Sequence, residues 1–244
     1  MDWVHSFYDT QDELTGCHSS GLHPHHHALA ARLTAHRGQP GSLLELGAGG
    51  GQFAVAAAQV GHAVTALELR PSGTVHTQRL AALHGVQVNA MTGDFYTADP
   101  GGPFDMLAYW DGFGVGDDAE QARLLARFPE WLAPGGAAYV DVYTPWYWAQ
   151  HAGFTRETPA YVQSYGFDAD RCRLLDTYAR ADGKTVTQSL RCYSPEDVRR
   201  LLHGTALVLD EVWPGGRFDP RAGTWHPRAP LGECLSFTAV LKRA

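Results

Sequence analysis

The chain has 244 residues, 44% hydrophobic and 18% charged, with a formal net charge of −7. That balance fits one sizeable α/β domain with a modest appendage; it disfavours a disordered chain and a nucleic-acid partner, which calls for clustered Lys and Arg. No apolar run approaches a membrane span, and the start lacks a signal-peptide pattern, so a cytoplasmic protein is expected.

Residues 1–40 read as a polar, aromatic-bearing cap segment followed by a helix from about Pro24 to Arg37, with proline at its first turn. His18, His23, His25, His26 and His27 crowd this segment, and His23-x-His25 has the form of a chelator. Helical spacing separates the rings, and no cysteine or carboxylate stands at zinc-like spacing. Solvated or capping histidines are the default, and no metal is expected.

From Ser42 to Tyr143 strand-like and helix-like runs alternate, the pattern of a parallel sheet covered on both faces. The first strand, Leu43 to Leu46, runs into Gly47-Ala48-Gly49-Gly50-Gly51. Glycine suits a backbone that must bend where a Cβ would clash and let a ligand come close. The next helix carries Phe53, Val55, Ala56 and Val60 and stops at Gly61. A second strand, Ala63 to Leu67, ends in Glu68, where an acid can accept from both hydroxyls of a ribose. Glu68 reads as standing at an exposed strand end, so its removal is expected to spare the fold. A helix follows Pro71 and ends at Gly85. Strands are expected at Val86 to Ala90 and Phe104 to Tyr109, then a helix from about Asp118 to Trp131 and a fifth strand from Ala137 to Tyr143.

Beyond Tyr143 the pattern changes. Arg171 to Ala179 and Lys184 to Tyr193 read as a hairpin about Asp182-Gly183. Cys172 and Cys192 would face each other across it, but with no C-x-x-C pair among Cys17, Cys172, Cys192 and Cys234, reduced thiols are favoured. Ser194-Pro195-Glu196-Asp197 opens a helix to about His203. Strands at Leu207 to Val212 and Leu235 to Leu241 flank a long loop holding Pro214, Pro220, Pro227 and Pro230, a length often linked to function.

Four motifs now stand in order: Glu45-x-Gly47-x-Gly49-x-Gly51, Glu68, Gly93-Asp94-Phe95, and Leu132-Ala133-Pro134-Gly135-Gly136. Together they resemble the class I S-adenosylmethionine-dependent methyltransferases, closely over residues 40–143 and more loosely in the closing strands. A nicotinamide-dependent Rossmann oxidoreductase would place Gly or Ala where Gln52 stands. That oxidoreductase, a non-catalytic S-adenosylmethionine-binding module and, more weakly, a nucleic-acid methyltransferase are the rival readings.

The resemblance implies a Rossmann-like, doubly wound, mostly parallel seven-stranded sheet. Residues 1–40 would cap a cofactor-binding domain, 41–244, with 144–193 inserted as a lid containing the β-hairpin. S-adenosyl-L-methionine would be the cofactor, and a small molecule would take its methyl group by in-line displacement. Carried over by position, the backbone at Gly47, Ala48, Gly49 and Gly51 would lie against the methionine part and the sugar. Glu45 would fix the methionine amino end and Glu68 the ribose. Asp94 would accept from the adenine amino group, with Phe95 beside the ring.

The acceptor belongs at the carboxyl edge of the strands, where Tyr109-Trp110-Asp111-Gly112-Phe113-Gly114 departs from the N/D-P-P-Y signature of many nucleic-acid and protein methyltransferases. With the negative charge, this favours a small molecule. Asp111 is the first candidate for a catalytic or substrate-orienting carboxylate, against an Asx-turn reading. Trp110 and Tyr109 would stack on adenine or acceptor, or fill the core. Tyr143, Trp146 and Tyr147 are candidates for the wall of an aromatic pocket, with core packing as the competing role. One of the clustered histidines, or comparably Tyr8, is a candidate general base at neutral pH, since an N-terminal segment in this family commonly folds over the cofactor, and Tyr8 is also a candidate for the substrate pocket. The acceptor, the attacking atom and a homodimeric state are left open.

Overall fold

The computed structural model describes residues 2–220 and 222–244, with side chains from Val4 onward in those ranges. The chain opens with helix α1 (Asp2–Thr15) and helix α2 (Pro24–Arg37). Helix α1 falls where the sequence reading has only a polar segment. Its apolar stripe is short, Val4, Phe7 and Tyr8 at helical spacing, and is completed by what it docks against. Helix α2 carries proline at its first turn, and His26 Nδ1 accepts from the His23 backbone N–H at 3.0 Å. Gly38, at φ 91°, closes it in the left-handed conformation and donates to Thr34 O.

The alternating region becomes β1 (Ser42–Leu46), α3 (Gln52–Gln59), β2 (Ala63–Glu68), α4 (Pro71–Leu83), β3 (Val88–Thr92), β4 (Phe104–Tyr109), α5 (Asp118–Trp131) and β5 (Leu132–Tyr143). Strand β3 starts two residues later than expected, because Val86 donates back to Ala81 O and packs against Leu80 at the end of α4. Strand β5 begins at Leu132, opposite Phe104, and shifts register before Ala137 meets Met106.

The inserted region is larger than the expected hairpin. It holds α6 (Pro145–Gln150) and a four-stranded antiparallel sheet, β6 (Thr155–Glu157), β7 (Tyr161–Asp168), β8 (Arg173–Arg180) and β9 (Thr185–Arg191), in that order. Strand β7 hides in the sequence because Gln163, Ser164 and Gly166 break its apolar alternation. The chain then forms α7 (Pro195–Leu201), β10 (Leu207–Pro214), a small hairpin of β11 (Arg217–Asp219) and β12 (Thr224–His226), and β13 (Ser236–Arg243). Cys172 and Cys192 are free thiols, with Cys172 Sγ 3.5 Å from Cys192 O.

The main sheet runs β10-β13-β5-β4-β1-β2-β3; its pairs are parallel from β5 through β3, and β13 is antiparallel to both neighbours. It is the expected seven-stranded, mostly parallel arrangement. Its central strands read as continuous apolar runs because both faces are covered. On one face Leu33, Phe53 and Ala57 pack over Leu43, Met106 and Tyr139. On the other, Leu124, Phe128, Trp131 and Val198 pack over Leu107, Val140 and Phe237. Helix α1 docks on the inserted sheet. Phe7, 1% exposed, meets Tyr178 of β8 with ring centroids 5.9 Å apart, and Tyr8 OH accepts from Gln188 Nε2 of β9 at 2.8 Å. No described helix is long and apolar enough to cross a membrane.

Candidate active site

The turn after β1 takes the left-handed conformation at Gly47 (φ 60°), Gly49 (φ 56°) and Gly51 (φ 78°). A Cβ on Gly50 would lie 1.7 Å from His18 O, and one on Gly51 would lie 2.3 Å from Thr77 Oγ1. The loop is therefore clamped between α4 and the segment after α1, which leaves no room for side chains there. Gln52, the residue that breaks the nicotinamide pattern, has a structural use. Its Nε2 donates to Cys17 O and Ser20 O, both at 3.1 Å, and ties that segment over the loop.

A cavity of about 1030 Å³ opens at this edge of the sheet, between the glycine loop, α1 and the inserted sheet. Of the residues singled out by sequence, Glu45, Gly47, Ala48, Gly49, Glu68, Asp94, Phe95, Trp110, Asp111, Tyr8 and Tyr143 line it together. Gly51, Trp146 and Tyr147 do not. Gly51 is the N-cap of α3, packed at Thr77. Tyr147 is buried and stacked on His151, with ring centroids 3.8 Å apart, and Trp146 packs in the same apolar cluster. Trp148 forms the wall instead, its ring 5.3 Å from Tyr143 and 5.1 Å from Tyr165. Sequence reading also passed over Asp141 on β5 and Asp176 on β8, which face the same space. The signal at Asp141 was an acid inside the apolar run Ala137 to Tyr143.

Glu68 is buried, not exposed as expected. It accepts from Gly49 N at 2.8 Å and Arg70 N at 3.0 Å, and lies 3.5 Å from Arg70 Nε. Burial raises its carboxyl pKa, and these partners hold the rise back. Glu45 is 4% exposed; its Oε2 has no hydrogen-bond partner among the described residues, and burial, with Glu68 adding, pushes it well above the usual carboxylate range. His18 is pushed down to about 4 by burial and Arg70, so it is neutral at physiological pH. Asp94 accepts from Tyr96 N at 2.8 Å, and Phe95 lies edge-on to Tyr109.

Asp111 sits at φ 55°, a left-handed position tolerated by few residues other than glycine. It accepts a hydrogen bond from Tyr143 OH. Protein surrounds it, yet its own surface faces open cavity, not packed atoms. That enclosure, with Asp141 and Asp176 nearby, raises it to about 7; burial alone is the main cause of about 6 at both Asp141 and Asp176. An acid raised by folding binds its proton more readily in the native than in the unfolded chain. Its stabilising contribution is complete below the ordinary pKa of about 4 and is lost as pH rises through the folded value. The stability of the unliganded protein relative to Asp111→Asn is thus expected to fall between about pH 4 and pH 7. Urea midpoints of both proteins across that window check this; parallel curves would contradict it.

The residues at the glycine loop suit a nucleoside carrying an amino acid. Glu45 holds a buried oxygen in want of a donor, Gly47 and Gly49 present bare backbone, and the Trp110 indole N–H lacks an acceptor. The sequence model of the family described as "Methyltransferase domain" matches residues 43–136. Residues 43–136 thus carry a methyltransferase domain. Ribosomal protein L11 methyltransferase of Thermus thermophilus is 33% identical over 112 residues, 45% of this chain and 42% of that protein. The match thus spans less than half the length of that relative. Among solved structures, the CcbJ methyltransferase of Streptomyces caelestis superposes with a TM-score of 0.72 at 20% identity, covering 91% of this chain and 97% of its own. SAM-bound CalS10, an amino pentose methyltransferase of Micromonospora echinaspora, gives 0.62 at 21% identity, covering 98% and 97%. These likenesses extend the shared fold beyond the methyltransferase domain to the insertion and the closing strands.

Proposed function

We propose that the protein transfers the methyl group of S-adenosylmethionine to a small-molecule acceptor held between the glycine loop and the inserted sheet. The observation that carries this is a cavity lined together by bare glycine backbone, the orphaned Glu45 oxygen, Glu68, Asp111, Tyr143 and Trp148. Single-ligand pockets run to about 300–1,000 Å³, so a cavity of about 1030 Å³ has room for two molecules. Naming CalS10 an amino pentose methyltransferase supports a small acceptor for a chain of this fold.

In this reading Glu45 accepts from the methionine amino group, Glu68 from the ribose, and Asp94 from the adenine amino group, with Phe95 and Trp110 flanking. The bound cofactor supplies an electrophilic methyl on a cationic sulfur. The chain aligns the acceptor with it, excludes bulk water by α1 and residues 144–193, and offers Asp111 as proton acceptor. Gly51 contributes by letting the loop pack on α4, and Tyr147 by supporting Trp148. Free thiols and the enclosed, acid-rich cavity favour a cytoplasmic enzyme on metabolites over one acting on nucleic acid.

S-adenosylhomocysteine at about 100 times its Kd should raise stability by about 2.7 kcal/mol, and Tm by roughly 5–10 °C for a chain of this size. Reduced nicotinamide should produce no shift. An unchanged Tm at saturating S-adenosylhomocysteine would sink the proposal.

A further inference from the structure

The cavity lining carries three acids from outside the glycine loop: Asp111 from the turn after β4, Asp141 from β5 and Asp176 from β8. All their partners are neutral. Asp111 accepts from Tyr143, Asp141 from Ser236, and Asp176 from Tyr178 and, at 2.9 Å, Gln163 Nε2. Among the described residues no Lys or Arg pairs with any of the three. The full lining holds six carboxylates and two guanidinium groups, those of Arg32 and Arg70, and Arg70 is engaged by Glu68 and Asp9. Three acids without a counter-ion in an enclosed space create a negative field that a bound cation relieves.

A second observation points to a ligand there. Trp148 lines the cavity and is only 6% exposed, yet its indole N–H meets no acceptor among the described residues. A buried donor left unpaired is costly, so an oxygen of the ligand is its natural partner. The rings of Tyr143, Trp148 and Tyr165 stand together beside the acids, offering aromatic faces to an ammonium and its carbons.

We propose that the methyl acceptor is an alkylamine that also carries an oxygen acceptor, its ammonium held by Asp111, Asp141 and Asp176 and its oxygen by the Trp148 N–H. This rests on the methyl-transfer reading above and names its substrate class. The ammonium first gives one proton to the Asp111 carboxylate, leaving a free amine. The nitrogen lone pair then forms the N–C bond as the C–S bond breaks and its electron pair returns to sulfur. The product is a protonated methylamine, and the positive charge has moved from sulfur to nitrogen. A carboxyl at about 7 exchanges protons readily at neutral pH, and the accessible side of Asp111 lets its proton leave.

The test is a tryptophan-fluorescence titration, near neutral pH, of protein loaded with S-adenosylhomocysteine and of unloaded protein. The probes are cyclohexylamine, cyclohexanol, cyclohexanecarboxylate and 2-aminocyclohexanol. Cyclohexylamine should bind at least about tenfold tighter than cyclohexanol, and the carboxylate should not bind. The amino alcohol should gain over the amine, a gain lost in Trp148→Phe. Asp111→Asn and Asp176→Asn should each weaken amine binding about tenfold with S-adenosylhomocysteine affinity unchanged. Asn suits the left-handed backbone at 111, so that variant stays informative if Asp176→Asn does not fold. Equal affinity for amine and alcohol, or an amine affinity indifferent to Asp111→Asn, would overturn the proposal. Failure of S-adenosylhomocysteine to bind the wild type would overturn the methyl-transfer reading instead, while the unloaded titration still decides whether the acids bind an amine.

Discussion

Replacing Arg70 with methionine should destabilise the protein by about 3–5 kcal/mol, the range for removing one partner of a buried ion pair. Arg70 is 4% exposed, with Nε 3.5 Å from Glu68 and Nη1 3.3 Å from Asp9 and 3.4 Å from Tyr8 O. Asp9 is well exposed, so that contact contributes little. The cost arises at Glu68, which would remain buried without a cation. Methionine keeps most of the apolar stem, so the loss reports charge more than volume. The urea midpoint should drop with an unchanged m-value, and the double variant with Glu68→Gln should recover part of the loss. Strict additivity of the two single changes would show that the pair is not coupled. The same substitution removes the bond from Arg70 to Tyr8 O, so amides of α1 should exchange faster than those of α5.

Glu68→Ala should weaken S-adenosylhomocysteine binding by about 10–100-fold, as expected for losing hydrogen bonds to a charged acceptor worth roughly 1.5–3 kcal/mol. The sequence suggested that the fold would be indifferent to this change. The structure argues otherwise, because Gly49 N and Arg70 N both lose their acceptor and Arg70 loses its buried partner. A fall in stability should therefore accompany the fall in affinity. Glu68→Gln separates the two effects, since it retains an acceptor for the backbone while removing the charge. Calorimetric titration and urea unfolding of the three proteins read both quantities. Full affinity in Glu68→Ala would mean that the ribose lies elsewhere.

Much of this molecule is written locally. The runs at Leu43 to Leu46, Ala63 to Glu68 and Phe104 to Tyr109 are strands because both faces of a parallel sheet are covered and every residue can be apolar. Asp117 and Ser194 cap their helices by accepting from the backbone three residues on, a reach contained within one turn. The glycine loop declares itself because Gly47, Gly49 and Gly51 take a left-handed backbone that glycine adopts freely. Such features depend on neighbours within a few residues, so reading along the chain finds them.

Other features depend on partners distant in sequence. Helix α1 has too short an apolar stripe to stand out, and becomes a stable element when Phe7 meets Tyr178 and Tyr8 meets Gln188. The burial of Glu68 follows from the chain folding Arg70 and Gly49 onto it. Trp148, not Trp146 or Tyr147, faces the cavity because the short helix α6 turns it toward Tyr143 and Tyr165.

The sequence by itself determined the sheet, its mostly parallel character and the glycine turn after its first strand, since strand periodicity, caps and glycine geometry are short-range constraints. Only the tertiary structure decided which acids gather on the cavity wall. Asp111 comes from the turn after β4, Asp141 from β5 and Asp176 from β8, and they share one cavity only once packing has brought these segments together.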